Sequence, residues 1–238
     1  MAEMVKQLNR LSWMIPIALL LSTVAGCRND RPADKAAVTP PGVRLVPSPA
    51  AGSGQEELYL GGEPGAMVRI EVFSDYQCPR CKEFYLGTLK PIIADYAGTQ
   101  KVSVIYHDLP LEMHPFARPA ARLALAAARL GREEWLRVTD EFYKDQEQWS
   151  VSGNFESALS KALNPTQLMR VVRMAGDPAI DAAVQQEVLF AESRGVTSTP
   201  TFFISTKSGR EQRINGAIAY PVLKDYLDRL LGGRTDAK

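Results

Sequence analysis

The feature that most constrains the fold is the stretch at residues 68–82, VRIEVFSDYQCPRCK, where an alternating apolar pattern runs into a Cys-x-x-Cys motif. Val68, Ile70 and Val72 recur at every second position, which is the pattern of a β-strand with one strongly apolar face. Pro79 suits the first turn of a helix, where its missing N–H removes no hydrogen bond. The stretch therefore predicts a strand, a short turn and a helix that begins at the cysteines.

The two cysteines of this motif, Cys78 and Cys81, lie where a helix N-terminus would promote thiol ionisation. The exposed backbone N–H groups and the positive end of the helix dipole stabilise a thiolate at Cys78. Such an environment lowers the pKa of a cysteine from about 8.5 towards roughly 3.5–7.5. Arg80, between the cysteines, adds a positive charge that acts in the same direction. The motif therefore predicts a reactive dithiol that is supported by Pro79 and Arg80.

The start of the chain has the organisation of a bacterial export signal. A short basic region with Lys6 and Arg10 precedes an apolar run over residues 11–24, which is too short to span a bilayer comfortably. The run ends in Val-Ala-Gly-Cys, which resembles the lipobox of bacterial lipoproteins. We expect residues 1–26 to be a signal peptide and Cys27 to be lipidated; an ordinary secretory signal is the alternative.

The cysteine count becomes informative once Cys27 is assigned to a lipid anchor. Of three cysteines, Cys78 and Cys81 then remain as a pair, and a disulfide that closes so short a loop removes little chain entropy. The pair therefore does not serve to staple the fold.

Residues 27–54 are polar and rich in proline, as in a disordered tether. The sequence therefore predicts a domain at residues 55–235 that is held to a membrane by a flexible segment.

The pattern after the motif indicates an α/β protein. Residues 101–109 alternate as a strand, residues 110–195 are periodic as successive helices, and residues 201–214 return to two short strands before a helix from Pro221. This order predicts a thioredoxin-like fold with an inserted α-helical domain at about residues 112–195. The net charge of +1 gives no electrostatic case for a nucleic-acid partner.

Three stretches resemble the DsbA-like branch of the thioredoxin family, and the similarity extends over most of the predicted domain. They are FSDYQCPRC at residues 73–81, YHDLPLEMHPFARPAARLALAA at residues 106–127 and GVTSTPTFFI at residues 195–204. In this family the proline that matches Pro200 is cis and packs against the active-site sulfurs. The resemblance also implies that the backbone of Thr199 pairs with an extended substrate peptide.

The dithiol and the resemblance together predict an exported thiol:disulfide oxidoreductase. Cys78 would form the mixed disulfide with a substrate, and Cys81 would resolve it. A stabilised Cys78 thiolate stabilises the reduced form, which favours an oxidase that donates disulfides to cysteine-containing exported proteins. The resemblance implies that the protein needs no cofactor. It also implies that a DsbB-like or VKOR-like membrane protein reoxidises the dithiol, on the periplasmic or cell-surface side of a bacterial membrane. Reductase and isomerase activities of the same fold are the alternatives.

One position departs from the family pattern. Thioredoxin-like proteins often carry a buried acid six residues before the first cysteine, and here that residue is Val72. Glu71 is adjacent, but strand alternation points it to the opposite face. Asp75 lies closer to the cysteines, on the turn. The sequence therefore leaves the proton transfer at Cys81 unassigned.

Other interpretations of single residues stay open. Cys78 and Cys81 could join His107 and His114 in a Cys2His2 zinc site, although we expect no metal and prefer a loop or surface role for both histidines. Tyr76 is expected at the rim of the substrate groove. A peptide-binding chaperone is a further alternative, and its activity would survive the replacement of Cys78.

Two features of the helical block also carry predictions. Arg118, Arg122 and Arg129 fall on one narrow stripe of an otherwise apolar helix, which we interpret as its solvated face. We expect Trp135 and Trp149 to lie in the core of the insertion.

Overall fold

The computed structural model describes residues 57–232. The predicted signal peptide at residues 1–26, the lipidation site Cys27 and the predicted tether at residues 27–54 lie outside these residues. Among the helices of residues 57–232, none combines the length and the apolar character that a membrane crossing requires.

A five-stranded mixed sheet with the strand order β1-β3-β2-β4-β5 forms the centre of the fold. The strands are Leu58–Gly61 (β1), Val68–Ser74 (β2), Val102–Asp108 (β3), Thr201–Thr206 (β4) and Glu211–Asn215 (β5). Strands β2 and β3 are parallel and the other neighbours are antiparallel; the parallel register places Ser74 beside Asp108. Every residue of β3 is buried, because β3 lies inside the sheet with both of its faces covered.

The helix that begins at the cysteines is irregular. It consists of α1 (Pro79–Phe84), a π-helical segment (Tyr85–Leu89) and α2 (Lys90–Tyr96). Pro91 is the second residue of α2, next to the π-helical segment, and has no N–H for an intrahelical hydrogen bond. The irregular part of the helix therefore coincides with this proline.

Six helices follow one another between β3 and β4. They are α3 (Ala117–Ala128), α4 (Arg132–Lys144), α5 (Gln146–Ser152), α6 (Glu156–Ala162), α7 (Pro165–Ala175) and α8 (Pro178–Ser193), and α9 (Tyr220–Gly232) follows β5. Asn164 caps α7 in a reciprocal capping box with Gln167, and Asp177 caps α8. The predicted α/β fold with a helical insertion is confirmed.

The insertion has its own aromatic core. Trp135 and Trp149 are buried, as predicted, and the Trp149 ring lies 5.7 Å from Phe142 and 5.0 Å from Phe155. Aromatic pairs at these separations add to the free energy gained by burial. The insertion is therefore packed well enough to hold other residues in fixed positions.

The arginine stripe on α3 is only partly a solvated face. Arg118 Nε donates to Asp181 Oδ1 at 2.8 Å, and Arg122 Nε lies 3.8 Å from the same carboxylate oxygen. Arg129 alone of the three is exposed. The prediction was wrong for Arg122, and Arg118 is half-exposed and paired, because α8 packs against α3 and supplies a carboxylate that sequence periodicity does not reveal.

Candidate active site

The two cysteines lie at the start of α1, over the end of β2. Cys78 is the residue that caps the helix, with extended backbone (φ −72°, ψ 121°), and Pro79 follows in the first turn, as predicted. Both thiols are free, and Cys78 is 7% exposed whereas Cys81 is 1% exposed. A thiol from another protein therefore meets Cys78 first.

The two thiols differ in acidity. A hydrogen bond from the Cys81 thiol and the backbone N–H groups of the first helical turn lower the pKa of Cys78 to about 6, against the effect of burial. Burial raises the pKa of Cys81 well above its ordinary value, and the adjacent Cys78 thiolate raises it further. The pair is thus arranged as a nucleophilic thiolate beside a protonated thiol.

Arg80 does not supply the expected charge. Its side chain is 74% exposed and lies 3.3 Å from the carboxylate of Glu83. The field of such an exposed, paired charge is strongly screened before it reaches a buried sulfur. The acidity of Cys78 is therefore due to the Cys81 thiol and the backbone N–H groups, which corrects the role predicted for Arg80.

The loop before β4 brings Thr199 and Pro200 to the reactive cysteine. The peptide bond between these two residues is cis, as the resemblance implies. The sulfur of Cys78 lies 3.6 Å from the carbonyl oxygen of Thr199, to which the thiol donates when it is protonated. The fold thus brings together at one sulfur two of the three stretches that carry the resemblance.

Tyr76 does not lie at the rim of a groove, which corrects its predicted role in substrate binding. Its side chain is buried, its hydroxyl lies 3.0 Å from Thr139 Oγ1, and its ring packs against Tyr106 and Phe142. The prediction failed because the insertion covers this side of the turn. Tyr76 therefore joins the turn to the core of the insertion.

Two glutamines tie the insertion to the active-site turn. Gln146 Nε2 donates to the carbonyl oxygens of Tyr76, at 2.7 Å, and of Cys78, at 3.0 Å. Gln77 Nε2 donates to the carbonyl oxygen of Ser150 at 2.9 Å. Sequence reasoning missed both residues, because no sequence pattern distinguishes a glutamine that bonds backbone carbonyl groups from one that is exposed.

Replacing Gln146 by methionine is expected to lower the free energy of unfolding by about 1–3 kcal/mol, because the carbonyl groups of Tyr76 and Cys78 each lose a side-chain donor. The Cys78 carbonyl keeps the backbone N–H groups of Cys81 and Lys82 as donors. Urea denaturation measures this loss. Gln148, which is exposed on the same helix, provides the matched control; Gln148→Met should change stability by less than about 0.5 kcal/mol. Equal losses in the two variants would contradict the contact.

The histidines pair with carboxylates instead of converging on the cysteines. His114 Nδ1 lies 2.7 Å from Asp75 Oδ2. His107 is buried in β3 with Nδ1 2.8 Å from Glu187, so the predicted loop or surface role was wrong for this residue. In the described part of the chain, no group of three or more His, Cys, Asp or Glu side chains could hold a metal ion. The Cys2His2 arrangement considered for zinc is not formed.

Glu71 points away from the cysteines, as strand alternation predicts. Its carboxylate lies 2.9 Å from Arg69 and 3.4 Å from His107. Although burial acts in the opposite direction, the nearby His107 and Arg69 side chains lower the pKa of Glu71 to about 2. Val72, at the position of the family's acid, is buried. Neither residue can exchange a proton with Cys81 at neutral pH.

The strand order and the dithiol at the helix N-terminus together define a thioredoxin-like protein. A family model described as thioredoxin matches residues 55–228. The chain belongs to the thioredoxin family.

Solved structures of DsbA-type proteins share this fold. The α-DsbA1 protein of Wolbachia pipientis has a TM-score of 0.62 at 20% identity, over 79% of this chain and 94% of that chain. BdbD of Bacillus subtilis, in its oxidised form, has a TM-score of 0.62 at 17% identity, over 74% and 94%. A periplasmic thioredoxin-like protein of Salmonella enterica has a TM-score of 0.53 at 20% identity, over 74% and 91%. These likenesses establish the fold.

Curated relatives of a different kind match in sequence. The Na(+)/H(+) antiporter NhaA 1 of Mycobacterium sp. (strain KMS) is 26% identical over 153 residues, which are 64% of this chain and 24% of that protein. NhaA 3 of Salinispora tropica is 26% identical over 148 residues, or 62% and 21%. The chain spans about a quarter of the length of the curated relatives it matches.

Proposed function

We propose that the protein is an exported thiol:disulfide oxidoreductase that works through Cys78 and Cys81 and donates disulfides to other proteins. The observation that carries this proposal is the difference in acidity between the two thiols. With a pKa of about 6, Cys78 is mainly thiolate at neutral pH. A stabilised thiolate makes the reduced form the preferred one, so the disulfide form is an oxidant.

The proposed reaction transfers two electrons from a substrate dithiol to the protein. A substrate thiolate attacks Cys78 Sγ of the disulfide form, the bond to Cys81 breaks, and the Cys81 sulfur leaves with the bonding pair and then takes up a proton. The second substrate thiol, once deprotonated, attacks the mixed disulfide and releases the Cys78 thiolate. The backbone of Thr199, beside cis-Pro200, would hold the substrate as an extended peptide.

The proposal includes export and anchoring. Residues 1–26 would be the signal peptide, Cys27 the lipidated residue, residues 27–54 the tether and residues 55–235 the catalytic domain, with its helical insertion at about 112–195. Substrates would be cysteine-containing exported proteins on the periplasmic or cell-surface side of a bacterial membrane. A DsbB-like or VKOR-like membrane protein would reoxidise the dithiol. The likeness to a periplasmic protein supports export.

The redox potential of the Cys78–Cys81 pair tests the proposed direction. Equilibration in glutathione buffers, with tryptophan fluorescence as the readout, should give a midpoint between about −180 and −120 mV, in the range of oxidising members of this fold. A midpoint near or below about −270 mV would contradict the oxidase and indicate a reductase. Absence of any redox transition would reject the function altogether.

A further inference from the structure

The proposed function leaves Cys81 without the buried acid of the family pattern. When the disulfide is attacked, the Cys81 sulfur must leave with a negative charge inside the core. An uncompensated charge there is costly unless donors surround it. Since Val72 and Glu71 cannot supply these donors, other polar groups near this sulfur must do so.

Three hydroxyl groups form a buried chain that ends at Cys81. Ser74 Oγ lies 2.8 Å from the Tyr143 hydroxyl, which lies 2.8 Å from the Tyr106 hydroxyl. Ser74 directly precedes Asp75, whose backbone N–H donates to Cys81 Sγ at 3.5 Å, and the Ser74 side chain lowers the pKa of Cys81 against the effect of burial. All four of the side chains are buried.

The hydroxyl groups of this chain can all donate in the direction of the sulfur, with Tyr106 donating to Tyr143 and Tyr143 donating to Ser74. Burial raises the pKa of Cys81, and Ser74 and the Asp75 N–H oppose that rise, which is the effect of a donor on a thiolate. Burial also raises the pKa values of Tyr143 and Tyr106 well above their ordinary value, so both phenols keep their protons. Aligned hydroxyl groups polarise one another, and each bond strengthens the next.

We propose that the Ser74–Tyr143–Tyr106 hydroxyl chain stabilises the Cys81 thiolate as it leaves, in place of the acid at the family position. The inference rests on the proposed function. An incoming thiolate bonds to Cys78 Sγ, the bond between the two cysteine sulfurs breaks, and its electron pair stays on Cys81, which later takes a proton from water. In this proposal Ser74 acts on the reacting sulfur directly, and Tyr143 and Tyr106 are positioning residues that act through Ser74.

Other titratable groups surround the hydroxyl chain, and their electrostatic effect on Cys81 is the same in all the variants compared. They are Cys78 from the same helix, Asp75 from the turn, Asp108 beside Ser74 in β3, and Tyr76 and Tyr85, whose rings lie 5.2 and 4.6 Å from that of Tyr143. Because these groups are unchanged when a hydroxyl of the chain is removed, a difference between variants reports on the chain itself.

The first test is the rate at which glutathione reduces the Cys78–Cys81 disulfide of the full chain at neutral pH. Ser74→Ala and Tyr143→Phe should lower the second-order rate constant roughly three- to tenfold, because the leaving sulfur becomes a poorer leaving group. Tyr106→Phe should have a smaller effect. Tyr85→Phe is the matched control. The Tyr85 ring stacks on that of Tyr143, but its hydroxyl donates to Asp140 and is not part of the hydroxyl chain, so this variant should leave the rate unchanged.

The second test measures the pKa of Cys81 itself, which a merely structural role for the hydroxyls would not move. In full-length protein carrying Cys27→Ser and Cys78→Ser, Cys81 is the sole thiol, and the ultraviolet absorbance of its thiolate follows its titration. Adding Ser74→Ala or Tyr143→Phe should raise the midpoint, while Tyr85→Phe should not.

The inference would be overturned if Ser74→Ala and Tyr143→Phe changed neither the rate of reduction by glutathione nor the pKa of Cys81. It would also be overturned if Tyr85→Phe produced the same changes. A wild-type disulfide that does not react with glutathione would reject the proposed function instead. The titration of Cys81 would still show in that case whether the hydroxyl chain acts on the sulfur.

Discussion

A Cys78→Ser variant is expected to lose all dithiol–disulfide exchange. Serine forms no disulfide and its hydroxyl does not ionise near neutral pH, so the attacking and accepting sulfur is removed together with the low-pKa thiolate. Oxidative refolding of a reduced, disulfide-containing test protein measures the loss, and the rate should fall to that of the uncatalysed reaction. The fold should persist, because the substituted side chain is of similar size.

Cys81→Ser provides the matched comparison. It keeps the nucleophile at Cys78 but removes the resolving thiol, so mixed disulfides between Cys78 and substrate proteins should accumulate. Mass spectrometry under non-reducing conditions detects them. Full activity of the Cys78→Ser variant would contradict the oxidoreductase and support the peptide-binding chaperone.

The reduced protein is expected to lose stability as the pH falls from about 8 to about 5. Cys78 has a pKa of about 6 in the folded protein, against about 8.5 for an ordinary cysteine, so between these values the unfolded chain binds more protons. The stabilisation by the thiolate is fully present above about pH 8.5 and is lost as the pH falls through about 6. We expect a loss of about 2–3 kcal/mol in the free energy of unfolding, measured by urea denaturation under reducing conditions.

The Cys78→Ser variant isolates this effect, since other groups that titrate in the same range are common to both proteins. The difference in stability between wild type and variant should shrink as the pH falls. Cys81 acts in the opposite sense, because its raised pKa makes stability fall as the pH rises above about 8.5, and the comparison therefore stays below that pH. Parallel curves for the two proteins would contradict a thiolate at Cys78.

Local sequence signals predicted the framework of the site. The alternation in residues 68–74 and Pro79 identified the strand-to-helix junction, since both features act over a few residues. Asn164 and Asp177, each followed by proline, cap two helices through contacts that are equally local. The order of these elements was then sufficient to predict the fold.

The surroundings of the cysteines depend on contacts between distant segments, which single-sequence patterns do not contain. Tyr76 and His107 were placed at or near the surface because nothing in their neighbourhood in the sequence reveals the helices that cover them. Ser74 meets Tyr143 across 69 residues. Arg80 was given an electrostatic role from its position alone, and the motif does not specify its exposure or its pairing with Glu83.

The glutamine contacts between the insertion and the active-site turn limit how far this protein can be reduced in size. An engineer who deleted the chain between β3 and β4 to obtain a minimal redox protein would remove Gln146 from the carbonyl groups on either side of the reactive thiol. Tyr143 would be lost from beneath the second sulfur in the same step. A shortened design would therefore need new donors at both places, because a site that is 1 Å too loose is a common failure of redesigned enzymes.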